Sequence, residues 1–222
     1  MAIEAVVFDI GNVLIEWQPE RRLAERIGAD RAASLFAAFD VHAMMTRIDA
    51  GGDFADTIEE TALAHPDWQH EIRLFRDEWN AIARPEIPHS VRLLRALRAR
   101  GVPVFALTNF GARNFPLSAA QFPFLSEFDR HYISGEMCLV KPDPAIYEAV
   151  ETDCGFAPET LLFTDDRDEN IAAARARGDR ERQIPPLRRR ARPQQRPGPQ
   201  APKGQAPHPD PAQQGQDAED QP

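Results

Sequence analysis

Acids stand at two points where buried runs end. Asp9 closes "AVVFD", and Asp165 and Asp166 close "LLFTDD". An acid after apolar residues costs free energy unless something pairs with it. A carboxylate so placed can act as a nucleophile and form an aspartyl-phosphate, splitting one hard step into two. Two consecutive acids supply hard oxygen ligands suited to Mg²⁺, an ion that binds through one or two carboxylates plus phosphate and keeps several waters. The plainer reading of Asp9 is a turn or helix-capping acid. That of the 165–166 pair is a cap for "RDENIAAA". One acid suffices for a cap, so the second is the informative one.

Lys141 is the sharpest single residue. The chain has 26 basic residues but only two lysines, Lys141 and Lys203, so a basic position here is nearly always arginine. A compact ammonium can bridge a carboxylate and a phosphate where a planar guanidinium does not fit alike. Chance survival of one lysine is the alternative. Pro142 and Pro144 stiffen the loop around it. Thr108 and Asn109 end "VPVFALTN" and offer a hydroxyl and a backbone N–H to phosphate oxygens, or serve equally well as a turn. His42, His65, His70, His89 and His131 show no metal-ligand spacing with one another and read as surface or capping residues. Met44, Met45, Trp68 and Trp79 read as packing, with the option that some face a substrate.

These residues need elements to hold them. "AIEAVVFDI", "VPVFALTN", "HYIS" and "TLLFTDD" read as strands. "IPHSVRLLRALRARG", with Gly101 as its stop, "KPDPAIYEAVETDCG" and "RDENIAAARARG" read as helices between and after them. Strands alternating with helices imply an α/β fold with a Rossmann-like parallel sheet covered on both faces, whose ligands bind beyond the carboxyl ends of the strands. Asp9, Thr108–Asn109 and Asp165–Asp166 all fall at such ends. Residues 17–85 carry apolar residues at three- and four-residue spacing in two stretches broken by "DAGGD", and read as an inserted helical cap. The expected core is therefore 1–16 and 86–178. Residues 179–222 read as a disordered tail. The stretch from Gly178 to the end holds ten of the 20 prolines, with no aromatic residue and no valine, and cannot bury a core.

Composition narrows the function classes. The net charge of −9 opposes a dedicated nucleic-acid binder. Cys138 and Cys154 form no CxxC pair, which fits a reducing cytosol rather than a disulfide framework or a zinc site. No apolar run approaches the roughly 20 residues of a membrane span, and the N-terminus lacks a signal-peptide pattern. The expectation is a cytoplasmic enzyme, monomer or homodimer, with no specific nucleic-acid partner and no membrane partner.

"FDIGNVL", "ALTN", "LVKPDPAIY" and "LLFTDDRDENIAAARARG" occur in that order. The set resembles the four motifs of the haloacid dehalogenase superfamily, most closely its small phosphatases with a helical cap after the first motif. The resemblance covers roughly residues 3–178. It implies Asp9 as nucleophile and Thr108, Asn109 and Lys141 around phosphate. It also implies Mg²⁺ held by Asp9, the Gly11 carbonyl, Asp165 and Asp166. The implied function is hydrolysis of a small phosphorylated metabolite, a sugar phosphate first. The alternatives are a dehalogenase and an inert domain that acts by binding.

The chain departs from that pattern twice. Phosphatases of the superfamily carry a second aspartate two residues after the nucleophile, as general acid, and Gly11 stands there. The start "FDIGNVLIEWQP" is similar to that of some sugar-phosphate phosphatases of the superfamily, for which a labile anomeric phosphate lessens the need for an acid. The second departure is "DRERQIPPLRRRARPQQRPG" after residue 178. It stands where one more apolar strand is expected, and its arginine- and proline-rich text reads as the out-of-frame product of a GC-rich gene.

Overall fold

The computed structural model describes residues 2–178. The expected tail at 179–222 and the expected frameshift lie outside the described residues. A four-stranded sheet forms from β1 (Ala5–Phe8), β4 (Val104–Thr108), β5 (Arg130–Ile133) and β6 (Leu161–Thr164), in the order β5-β4-β1-β6. All its neighbours are parallel, and Phe8 pairs with Ala106 on one side and Thr164 on the other. This register brings the chain after Phe8 level with the chain after Thr164. Asp9 and Asp165 therefore emerge at one carboxyl edge, and the Asp9 N–H is pinned to the Thr164 carbonyl at 2.8 Å.

Both faces are buried along the two inner strands, β1 and β4, which is why they read as near-continuous apolar runs rather than alternating, whereas the edge strand β5 opens on exposed Arg130 and His131. Val6, Phe8, Val104 and Ala106 pack with Val91 and Leu94 of α7 (Pro88–Arg98) and with Phe124 and Leu125. Ala5, Val7, Phe105, Leu107 and Leu161 face Ile146, Tyr147 and Val150 of α10 (Pro144–Cys154) and Ala174 of α11 (Asp168–Ala176). Removing a buried leucine from such a face costs about 2–5 kcal/mol.

A short antiparallel ribbon leaves and re-enters the core: β2 (Ile15–Trp17) and β3 (Ala83–Glu86). Neither strand is expected from the sequence. "ARPE" is exposed at its last three positions and carries no alternation to read. Between them lie α1 (Pro19–Ile27), α2 (Ala29–Ala38), α3 (Val41–Asp49), α4 (Phe54–Ala64), α5 (Gln69–Asp77) and α6 (Trp79–Ile82). The two expected helical stretches are thus divided further. Gly28 at φ +87° separates α1 from α2. Asp40 caps α3 through the Ala43 N–H, and Asp53 caps α4 through those of Ala55 and Asp56. These helices share a cluster built on Leu23, Leu35, Ile48, Ile58, Ile72 and Phe75, and Met44, Met45 and Trp79 are buried in it. Trp68 packs partly against that cluster and lies under Arg31 at 3.9 Å. Also unforeseen are α8 (Phe115–Gln121) and α9 (Ser134–Met137), short helices in segments without periodicity. No described helix is long and apolar enough to cross a membrane.

Candidate active site

The site begins with the ends of β1 and β6 and the loop before α10. The Lys141 ammonium is buried between two carboxylates, 3.0 Å from Asp9 Oδ1 and 2.6 Å from Asp165 Oδ2, and it also donates to the Leu107 carbonyl at 2.9 Å. These contacts use all three of its donors. Burial pulls the ammonium down, but Asp9 and Asp165 outweigh it and hold Lys141 above the usual lysine range. Asp9 is pushed up to about 7, chiefly by burial, with Lys141 opposing and Asp165 and Asp166 adding to the rise.

Asp165 is the more firmly held of the acid pair. Besides Lys141 it accepts from Asn170 Nδ2 at 2.9 and 3.0 Å and from the Arg167 N–H at 2.9 Å. Asp166 accepts from Asn12 Nδ2 at 3.0 Å, and burial raises its carboxyl. Asn12 sits at φ +54°, a left-handed conformation that asparagine tolerates. Its Oδ1 accepts from the Trp17 N–H at 3.0 Å and from Gln18 Nε2 at 3.1 Å. One side chain thus ties Asp166 to the strand that leads into the helical insertion.

Carboxylate oxygens of Asp9, Asp165 and Asp166 lie within 4.8 Å of one another. Three carboxylates against one ammonium leave an excess of negative charge in a buried place, which is costly without a cation. The donors are hard oxygens, the chemistry that Mg²⁺ takes. The residues therefore fit a divalent ion. Gly11 lies in the turn after β1, and a Cβ built there meets nothing within 4 Å. Thr108 is buried at the end of β4, which points toward the same edge. The Asn109 side chain is engaged by the backbone of Lys141, through Nδ2 to the carbonyl at 2.9 Å and Oδ1 from the N–H at 2.8 Å.

The family model for haloacid dehalogenase-like hydrolases matches residues 3–178. The chain belongs to this family. A sesquiterpene phosphatase of Aspergillus oryzae is 34% identical to it over 86 residues, 39% of this chain and 44% of that protein. The match thus spans under half the length of that relative. A HAD family enzyme of Bacteroides thetaiotaomicron superposes with a TM-score of 0.66 at 24% identity, over 82% of this chain and 94% of the other. The complex of that enzyme with magnesium and inorganic phosphate superposes at 0.63, also at 24% identity and with the same coverage. The L-2-haloacid dehalogenase of Xanthobacter autotrophicus superposes at 0.58 with 19% identity, over 80% of this chain and 75% of that chain. At these identities the structural likenesses show the fold.

Four further positions of this hydrolase support the site. Asn12 and Asn170 hold the acid pair, and both stand in the quoted motifs, so the signal was there. Ser134 links the Phe110 N–H, at 2.9 Å, to the Asp49 carbonyl, at 2.7 Å. Asp49 itself ends α3, and burial and the charge of Asp9 push its carboxyl up to about 7, with Lys141 opposing. Nothing in "RIDAGGD" marks Asp49 as a group on which the charge of Asp9, 40 residues earlier in the chain, acts.

Proposed function

We propose that this hydrolase is a Mg²⁺-dependent phosphatase acting on a small phosphomonoester, with sugar phosphates as the first class to test. The observation that carries the reading is the buried Lys141 held by both Asp9 and Asp165, beside a third carboxylate. A site so negative admits a phosphate dianion only with a cation present. Asp9 attacks phosphorus, and the ester oxygen leaves with the bonding electrons. Water then attacks phosphorus, the P–O bond to Asp9 breaks with its electron pair returning to the carboxylate, and inorganic phosphate leaves with the water's oxygen and protons. Asp9, Asp166 and the Gly11 carbonyl hold the ion, with Asp165 contributing chiefly through its grip on Lys141. The ion, once bound, neutralises phosphate charge and polarises a phosphoryl oxygen. The Thr108 hydroxyl and the Asn109 N–H hold the phosphate oxygens, and the Lys141 donor now spent on Asp9 turns to a phosphate oxygen as that carboxylate bonds to phosphorus. The helical insertion acts as a cap that closes over the site, excludes water and selects substrate. The phosphatase relative from Aspergillus oryzae supports the same reaction class.

The reading places the enzyme in the cytoplasm, as a monomer or homodimer. The test is a phosphate-release screen over sugar phosphates and nucleotides, with Mg²⁺ and with EDTA, alongside Asp9→Asn. Release that needs Mg²⁺ and is lost in Asp9→Asn supports it. Turnover of 2-chloropropionate in EDTA, with no phosphate release, overturns it in favour of a dehalogenase.

A further inference from the structure

An alkoxide is a poor leaving group unless it receives a proton as the bond to phosphorus breaks. None of the groups assigned above is free to give one. Asp9 is the nucleophile, Asp165 is held by Lys141, Asn170 and the Arg167 N–H, Asp166 is assigned to the cation, and the three Lys141 donors are taken by Asp9, Asp165 and the Leu107 carbonyl. Gly11 has no side chain, and the space its Cβ would enter is open to 4 Å.

The C-terminal end of α3 reaches this edge from the helical insertion and is fastened there. The Asp49 carbonyl accepts from Ser134 Oγ at 2.7 Å, and the same hydroxyl takes the Phe110 N–H, one residue after Asn109. Ile48 packs so closely on Gly111 that a Cβ there would stand 2.4 Å from Ile48 Cγ2. At Gly51, φ +108°, a Cβ would come within 2.9 Å of Cys138 Sγ. Three close approaches over four residues leave α3 little freedom to shift. The Asp49 carboxyl stands at the end of this fastened helix, and the charges of Asp9 and Lys141 both act on it.

We propose that Asp49, carried in from the helical insertion, is the proton donor to the leaving oxygen. The inference rests on the phosphatase reading. In the first step the Asp9 oxygen bonds to phosphorus while the P–O ester bond breaks. The electron pair goes to the ester oxygen, which takes the Asp49 proton, so the products are aspartyl-phosphate, a neutral alcohol and the Asp49 carboxylate. A value raised to about 7 suits the role, because a substantial fraction of the group carries its proton near neutral pH and can still yield it. A donor from the insertion ties proton supply to its docking on the core, and it frees the enzyme from needing an activated anomeric phosphate.

The experiment compares kcat/KM, which reads the first transfer, for wild type, Asp49→Asn and Asp49→Ala in saturating Mg²⁺. The substrates are the best alkyl phosphate from the screen and p-nitrophenyl phosphate, whose leaving group departs without a proton. Both variants should lose about 10²–10⁴-fold on the alkyl phosphate and stay within about fivefold on the aryl one. The wild-type alkyl profile should fall on the alkaline side through a limb that both variants lack. An equal loss on the two substrates, or none on either, overturns the proposal. So does a wild type that hydrolyses the aryl ester and no alkyl phosphate. A wild type that releases phosphate from neither overturns the phosphatase reading itself.

Discussion

Asn109 grips the backbone of Lys141 from both sides, accepting its N–H at 2.8 Å and donating to its carbonyl at 2.9 Å. A side-chain amide here does what a neighbouring strand does for a β-residue. It joins the end of β4 to the loop before α10, two segments with no ladder between them. The consequence is that the ammonium is aimed before any substrate arrives.

Removing that grip should therefore hurt activity through Lys141. Asn109→Ala is expected to lower kcat by about 10–100-fold, the range seen when an outer partner of a site residue is lost. Two backbone groups lose partners, so stability should fall by about 1–3 kcal/mol. Asn109→Asp keeps the acceptor but sets a carboxylate against the Lys141 carbonyl, and should be no better than alanine. Steady-state kinetics and a urea midpoint check both. Unchanged kcat in Asn109→Ala would show that the ammonium is aimed by other means.

Lys141→Met should destabilise the metal-free protein by about 3–5 kcal/mol, because Asp9 and Asp165 stay buried without their counter-charge. The sign with pH follows from Asp9, whose folded value of about 7 already lies above its ordinary 3.8 with Lys141 opposing the rise, and goes higher once Lys141 is lost. A raised acid favours folding below its unfolded value, and that advantage is lost as pH rises through the folded one. The variant should thus be weakest above pH 7 and recover part of its loss near pH 5. Thermal melts in EDTA at both pH values measure this. A loss that is flat with pH would remove Asp9 as its cause.

Asp49 gives a second pH signature, free of the activity assay. Its carboxyl is raised from 3.8 to about 7, first by burial and then by Asp9. Between those values the unfolded chain releases a proton that the folded chain keeps, so wild type loses stability as pH rises through this window. Asp49→Asn escapes the loss. It should melt above wild type at pH 8, by about 1–2 kcal/mol for a half-buried group, and close to it at pH 4.5. A variant that melts lower at pH 8 would show that the carboxylate has a partner there.

The sheet and its acids were legible because both rest on local text. Strands buried on two faces must be continuously apolar, so "AVVF" and "LLFT" declare themselves, and an acid after each is conspicuous. Lys141 stood out against a background of arginine. The expected number of helices in the insertion was too low, because single residues such as Gly28 and Asp40 end helices that share one periodic pattern. The ribbon of β2 and β3 left no alternation to read. Asp49 was illegible for a deeper reason. Its role depends on where α3 docks, and that is fixed by Ile48 against Gly111 and by Ser134, contacts between residues far apart in the chain.

Asn12 offers the sharpest test of the cation site. Its amide holds Asp166 Oδ2 at 3.0 Å while its carbonyl holds the Trp17 N–H. Asn12→Ala leaves every carboxylate in place, frees Asp166 from its restraint, and also takes the acceptor from the Trp17 N–H and Gln18 Nε2. A divalent ion that binds the folded chain alone raises its stability by RT ln(1 + [Mg²⁺]/Kd). Wild type should gain about 2–3 kcal/mol at a hundred times Kd, and EDTA should abolish the gain. Asn12→Ala should need about 10–100-fold more Mg²⁺ for the same shift. Asp166→Ala, which removes an oxygen ligand itself, should lose more than that. Melting curves across a Mg²⁺ titration separate the three proteins. Identical titrations for wild type and Asp166→Ala would remove Asp166 from the cation site, and with it the reason for a second acid after "LLFT".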